Sequence, residues 1–125
     1  MNEYYDKNMA IIRIKNILTR TIIGYNPEER VNWQDVIINL EIEVDVAKAV
    51  STDNKDGIYD YKAITKNVIV FVSDSKYNLL EKLTYEVLQL VMKDERVSRA
   101  KVEIDKPHAL RFSESVSVIM EEKRR

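Results

Sequence analysis

The chain contains no cysteine and a single histidine, His108. That excludes disulfides, thiolate nucleophiles, zinc ribbons, iron–sulfur clusters and any metal site needing two histidines. Glycine and proline are nearly as scarce, with two of each, and Gly24 and Gly57 stand far apart. No phosphate-cradling glycine loop and no dinucleotide fingerprint can be assembled from that supply. An excess of one charge is missing too: 20 Lys+Arg against 21 Asp+Glu leave a formal net charge of −1. Nothing electrostatic therefore calls for nucleic acid or an acidic membrane as partner. No stretch approaches the ~18 apolar residues of a membrane span. The opening MNEYYDKNM mixes acids with its lysine and has no apolar run behind it, unlike a signal or transit peptide.

What remains is a chain of 125 residues, 45% hydrophobic and 33% charged. A cytosolic protein is expected, with residues 1–9 a loosely ordered N-terminus and 10–125 one globular domain. That length can bury roughly two-thirds of the unfolded surface around one core. No metal and no cofactor is expected, so any reaction here must use carboxylates, lysine and tyrosine.

The chain divides by period. In Ala10 to Ile23 β-branched residues dominate, and Ile12 and Ile14 alternate with Arg13 and Lys15. This predicts one long strand, bent near Asn16. Gly24 to Trp33 opens with turn chemistry, and Pro27 at a first helical position predicts a single helical turn. Val36 to Val46 is the clearest pattern: Ile38, Leu40, Ile42, Val44 and Val46 on one face, with Asn39, Glu41, Glu43 and Asp45 on the other. Such alternation predicts an antiparallel strand, buried on one side and wet on the other. Ser51 to Asp60 is polar and predicted to be a loop. Tyr61 to Val72 and Leu79 to Lys93 carry helical spacing, and Asn78 with Glu81 three residues on matches an N-cap signature. Arg99 to Asp105 and Ser115 to Glu121 alternate again, with Ala100, Val102, Ile104 and Val116, Val118, Met120 facing inward. The order β-β-α-α-β-β predicts an α+β fold with a four-stranded antiparallel sheet and two helices on one face. The first two strands are long and flat in pattern. Their edges are either guarded by charge in a monomer or paired with further copies in a closed ring, and alternation alone leaves both open.

These residues resemble a known family. The order of elements, with IGYNPEER, DGIYDYKAITKNV, NLLEKLTYEVL and VEIDKPHALRFSESVSV in sequence, is similar to the dihydroneopterin aldolase family from about Ile11 to Met120. IIRIKN, YKAITKNVI and EIDKPHALR resemble its dihydroneopterin triphosphate 2'-epimerase branch most. The resemblance implies the tunnelling fold, in which four subunits join their sheets into a barrel-like ring. Two rings stack into a homo-octamer, with pterin sites between neighbouring subunits.

Six positions then become candidates. Glu81 has a local explanation as a capping residue. The resemblance makes it a pterin anchor, its carboxylate accepting two parallel N–H groups of the amino-pyrimidinone edge, with Leu80 backbone against the ring. Lys106, at the end of the third strand, is otherwise a solvated lysine. The family's lysine falls on it, and a half-buried lysine against an aromatic ligand can act as acid or base. Counting from Gly24, the family's glutamate falls on Glu29, although the adjacent Glu28 is chemically equivalent, and Gln34 matches a family glutamine. Alignment through YKAITKNV selects Tyr61 over the nearby Tyr59, and implies that this tyrosine reaches a neighbouring subunit's site. Lys106, Glu29 and Tyr61 are thus the catalytic candidates, and Glu81, Leu80, Tyr61, Glu29 and Gln34 the substrate-binding ones. The implied chemistry is a retro-aldol cleavage of the C1'–C2' bond of a dihydropterin side chain. Re-addition to the other face of the fragment gives an epimerase, release of glycolaldehyde an aldolase of folate synthesis, and the same residues serve both. A non-catalytic oligomer that retains a pterin pocket is a third reading.

Overall fold

The computed structural model describes residues 7–125. Four strands, β1 (Met9–Thr21), β2 (Gln34–Asp45), β3 (Val97–Pro107) and β4 (Ser115–Lys123), form one antiparallel sheet in the order β1-β2-β3-β4. The two predicted helices lie between β2 and β3 in sequence, as α2 (Tyr61–Asp74) and α3 (Leu80–Met92), and both pack on one face. A short α1 (Ala47–Thr52) and a 3-10 turn (Lys55–Gly57) precede them.

The alternation in β2 carries the core. Val36, Ile38, Leu40, Ile42 and Val44 are buried, and meet Val97, Ala100, Val102 and Ile104 of β3 on the same face. Val68 and Val72 of α2 and Leu83, Val87 and Val91 of α3 close over them, α2 lying above β1 and α3 above β3 and β4. Each such side chain contributes roughly 1.5–3 kcal/mol of burial, so the helices are held to the sheet by this layer. The opposite face is wet and charged. Glu41 accepts from Arg13 at 3.0 Å and from Arg99 at 2.9 Å, and Arg99 also donates to Glu121 at 3.0 Å. Burial pushes the Glu41 carboxyl up, but Arg99, Lys101 and Arg13 outweigh it and hold it below the usual range.

The bend in β1 is a bulge between Ile14 and Ile17, opposite Asn39. Two polar residues stand in succession there, Lys15 and Asn16. The extra residue is absorbed by Asn16 at φ 56°, whose N–H donates to Asn39 Oδ1 at 2.9 Å. Asparagine tolerates that left-handed conformation. Inward facing is thereby restored at Ile17.

Several expectations are corrected. The polar stretch Ser51 to Asp60 is not wholly loop: the last two residues of α1 and the 3-10 turn lie in it, unread because neither buries a residue. Val46 leaves β2 to become the N-cap of α1. Of the first two strands only β1 lies at an edge. β2 is central, paired with β1 and β3, and the other edge is β4. The N-cap of α3 is Leu79, not Asn78, and no side chain caps it. Of the N-terminus expected to be loose, residues 1–6 lie outside the described residues, whereas Met9 already belongs to β1 and Asn8 O accepts from Val46 N–H at 2.8 Å. Among the described residues no helix is long and apolar enough to cross a membrane.

Candidate active site

The site begins where β1 ends. Ile22 and Ile23 stay buried, and the chain then turns at Gly24, whose φ of +123° excludes other residues without strain. A Cβ at Gly24 would also sit 2.2–2.4 Å from the carboxylate of Glu29. The glycine is therefore required twice, by its backbone and by what lies on it.

Asn26 and Pro27 start the 3-10 turn Pro27–Arg30. Three residues after Asn26, Glu29 folds back, and its Oε1 accepts from the Asn26 backbone N–H at 3.3 Å and side-chain amide at 2.9 Å. Its Oε2 accepts from Lys106 Nζ at 2.5 Å and from Gln34 Nε2 at 3.4 Å. Gln34, at the start of β2, also donates to Ile23 O at 2.6 Å. Glu29 and Lys106 are largely shielded, with 17% and 13% of their side chains exposed. Burial pushes the Glu29 carboxyl up; the Lys106 and Gln34 hydrogen bonds and the Lys106 charge more than offset it, so the net shift is downward. Glu29 is ionised at neutral pH and forms a true ion pair with Lys106.

Three of the sequence candidates thus meet in one cluster, and the two adjacent glutamates differ in contact: Glu28 is exposed, while Glu29 holds the lysine. Lys106 arrives from the far end of β3, where Pro107 is the last strand residue and His108 turns the chain at φ 62°.

The connector between α2 and α3 lies against this loop. Gly24 N–H donates to Tyr77 O at 3.3 Å. Arg30 Nη1 donates to Gly24 O and Tyr77 O, and Nη2 to Lys76 O, at 2.9, 3.1 and 2.7 Å. From below, the fully buried Thr21 donates to Ser75 O at 3.0 Å. The connector then runs into α3, with Leu80 buried and Glu81 exposed at its second position. Glu81 has no side-chain hydrogen bond or ion pair among the described residues. The capping role expected for Glu81 is therefore absent, and its carboxylate is free to take a ligand.

Tyr61 is not brought to this group. It is the first residue of α2, started by the Asp60 side chain accepting from Ala63 N–H at 2.9 Å. The end of α2 next to the Glu29 loop is about 20 Å away at 1.5 Å rise per residue. Tyr59 is 7% exposed and belongs to the core, where burial pushes its phenol up to about 12. Tyr61, 49% exposed, lines a shallow cleft of about 380 Å³ along α2 with Lys62, Thr65 and Ile69. Tyr61 therefore stands apart from the Glu29–Lys106 cluster of its own chain.

Sequence reasoning missed Asn26 and Arg30. The spacing of Asn26 to Glu29 is a readable capping pattern. Arg30 had no local signal, since two of its partners lie 46 and 47 residues away. Among the described residues no group of three or more His, Cys, Asp or Glu could hold a metal ion.

Comparison with known proteins gives the following. The family profile described as FolB, dihydroneopterin aldolase, matches residues 12–121. A dihydroneopterin triphosphate 2'-epimerase of Pseudomonas aeruginosa is 46% identical over 115 residues, 92% of this chain and 94% of that one. A dihydroneopterin aldolase of Escherichia coli K12 is 26% identical over 113 residues, 90% of this chain and 93% of that one. The crystal structure of E. coli dihydroneopterin aldolase in complex with neopterin superposes with a TM-score of 0.85 at 25% identity. It covers 90% of this chain and 98% of that one.

Proposed function

The chain belongs to the dihydroneopterin aldolase family, and from that premise we propose that it epimerises C2' of 7,8-dihydroneopterin triphosphate by a retro-aldol/aldol route. The observation that carries this reading is the shielded Glu29–Lys106 pair, whose loop packs on the connector leading into α3, where the Glu81 carboxylate has no partner among the described residues. Kinship favours the epimerase outcome, since identity is 46% to an epimerase and 26% to an aldolase.

Glu81 accepts the two N–H donors of the amino-pyrimidinone edge, a charge-assisted bidentate contact. The backbone at Leu80 supports the ring, and Gln34 orders the pocket wall through Ile23 O and Glu29. The 2'-hydroxyl loses its proton to a water held by Glu29 and by Tyr61 of a neighbouring copy. The C1'–C2' bond breaks, its electrons pass into the ring imine, and Lys106 delivers a proton to the ring nitrogen. The aldehyde fragment turns over in place and the C1'–C2' bond re-forms, returning each proton and inverting C2'. No metal or cofactor takes part in this scheme.

Because Tyr61 sits at the other end of α2, the reading requires a homo-oligomer, built as a ring by pairing the open edges of β1 and β4 and doubled into two stacked tetramers. It places the enzyme in the cytoplasm. The test supplies 7,8-dihydroneopterin and its triphosphate separately, then measures the 2'-epimer and glycolaldehyde. Faster formation of the triphosphate epimer than of glycolaldehyde supports the proposal. Predominant glycolaldehyde makes the enzyme an aldolase of folate biosynthesis, and pterin binding without either product makes it a binding protein.

A further inference from the structure

We propose that Arg30 is a positioning residue that sets the distance between the Glu29–Lys106 pair and the carboxylate of Glu81. The inference rests on the pterin reading above and adds a residue to it. One guanidinium joins the loop that holds its own 3-10 turn to the irregular connector between α2 and α3. It donates to Gly24 O on the loop that carries Glu29, and to Lys76 O and Tyr77 O on the connector that leads to Glu81, all within 3.1 Å. Half-buried carbonyls need partners; the guanidinium supplies one to Gly24 O and a second to Tyr77 O, and a third bond reaches the more exposed Lys76 O. The planar fork of arginine can hold several acceptors in fixed directions, which a lysine ammonium on its flexible stem cannot. Arg30 and Glu29 are adjacent, so the residue that grips the connector is covalently tied to the one that grips Lys106. The 3-10 turn, started by Pro27, gives that dipeptide one conformation. Glu29 faces Lys106, Arg30 faces the connector, and the span between proton carrier and ring anchor is set by this turn. Thr21 holds the same connector at Ser75 O from the β1 side and Gly24 N–H holds it at Tyr77 O, and Arg30 adds the contacts that tie it to the dipeptide bearing Glu29.

The test is a double-mutant cycle on neopterin affinity, measured by titration calorimetry, with turnover of the triphosphate measured in parallel. Arg30→Met should weaken neopterin binding about tenfold or more, and should lower turnover further, since a misplacement near 1 Å costs about 10²-fold. In a Glu81→Gln background the same substitution should weaken binding much less, because the group it positions has already lost its charge. Arg30→Lys should fall between, retaining charge and one contact. If Arg30→Met does not fold, Arg30→Lys and Arg30→Gln carry the same cycle. Equal affinity losses in both backgrounds would make Arg30 a merely structural residue and overturn the inference. So would unchanged affinity in a folded Arg30→Met. A wild-type protein that binds no neopterin would instead overturn the underlying pterin reading.

Discussion

Glu29 is the most constrained side chain of the site, with both oxygens occupied and Gly24 beneath it. Its carboxyl lies below the unfolded value of about 4.3, the pair with Lys106 winning over burial. The folded pKa being the lower one, the contribution to stability is complete above the unfolded value. It is lost as pH falls through the folded one. Wild-type unfolding free energy should therefore drop more steeply below about pH 5 than that of Glu29→Gln, as measured by denaturant unfolding at a series of pH values. Parallel curves would mean that the pair adds nothing to stability. Glu81 is the opposite case, a carboxylate at a helix start with no partner among the described residues. Glu81→Gln should shift the thermal midpoint by no more than a few degrees, since only a dipole contribution of about 0.3–1 kcal/mol is at stake. Neopterin affinity should fall about tenfold or more, the cost of losing a charged hydrogen-bond acceptor. Unchanged affinity in calorimetry would remove Glu81 from the site.

At the level of elements, the turn between β1 and β2 converts a backbone requirement into a chemical one. Gly24→Ala should cost about 1–3 kcal/mol for the strained φ and expel the Glu29 carboxylate from its place, lowering turnover about tenfold or more. Normal stability together with normal turnover would show that the loop can re-form around a Cβ. Legibility follows the same division between local and distant causes. β2 was readable because Ile38 to Val44 obey a strict period of two, and α2 and α3 because their apolar faces recur at helical spacing. The bend in β1 near Asn16 was readable, while the bulge that makes it emerges only from the pairing with β2. The start of α3 was readable to within a residue, but its cap was not: Asn78 and Glu81 carry a capping signature, whereas the N-cap is Leu79 and no side chain bonds there. Helix α1 was invisible because Ala47 to Thr52 shows no apolar stripe. Glu29, Gln34 and Lys106 could each be named from residue spacing and resemblance. Their meeting depends on a contact between residues 77 apart, which no local pattern records.

For the whole molecule, the proposed ring accounts together for the open edges at β1 and β4 and the remoteness of Tyr61. Tyr61→Phe and Lys106→Ala, each inactive alone, should regain partial activity when co-refolded, since mixed interfaces include sites with neither substitution. The mixture should scatter light as a species far above the 14.7 kDa of one chain. A fully active monomer would overturn the shared site.

The strand order has a further consequence, for the time course of folding. β1 with β2 and β3 with β4 are hairpins whose ends are close in sequence, whereas β2 and β3 meet only after the whole stretch from Asp45 to Val97 has been closed. Closure of that loop is the entropic bottleneck, and contacts of large sequence separation form late. Glu29 rides on the first hairpin and Lys106 on the second. The two halves of the Glu29–Lys106 pair thus belong to units that can each form early, yet they meet only in the step that joins those units. In a refolding experiment the site should be born with the core, and ligand binding should appear with the slow phase rather than with the first burst of hairpin formation.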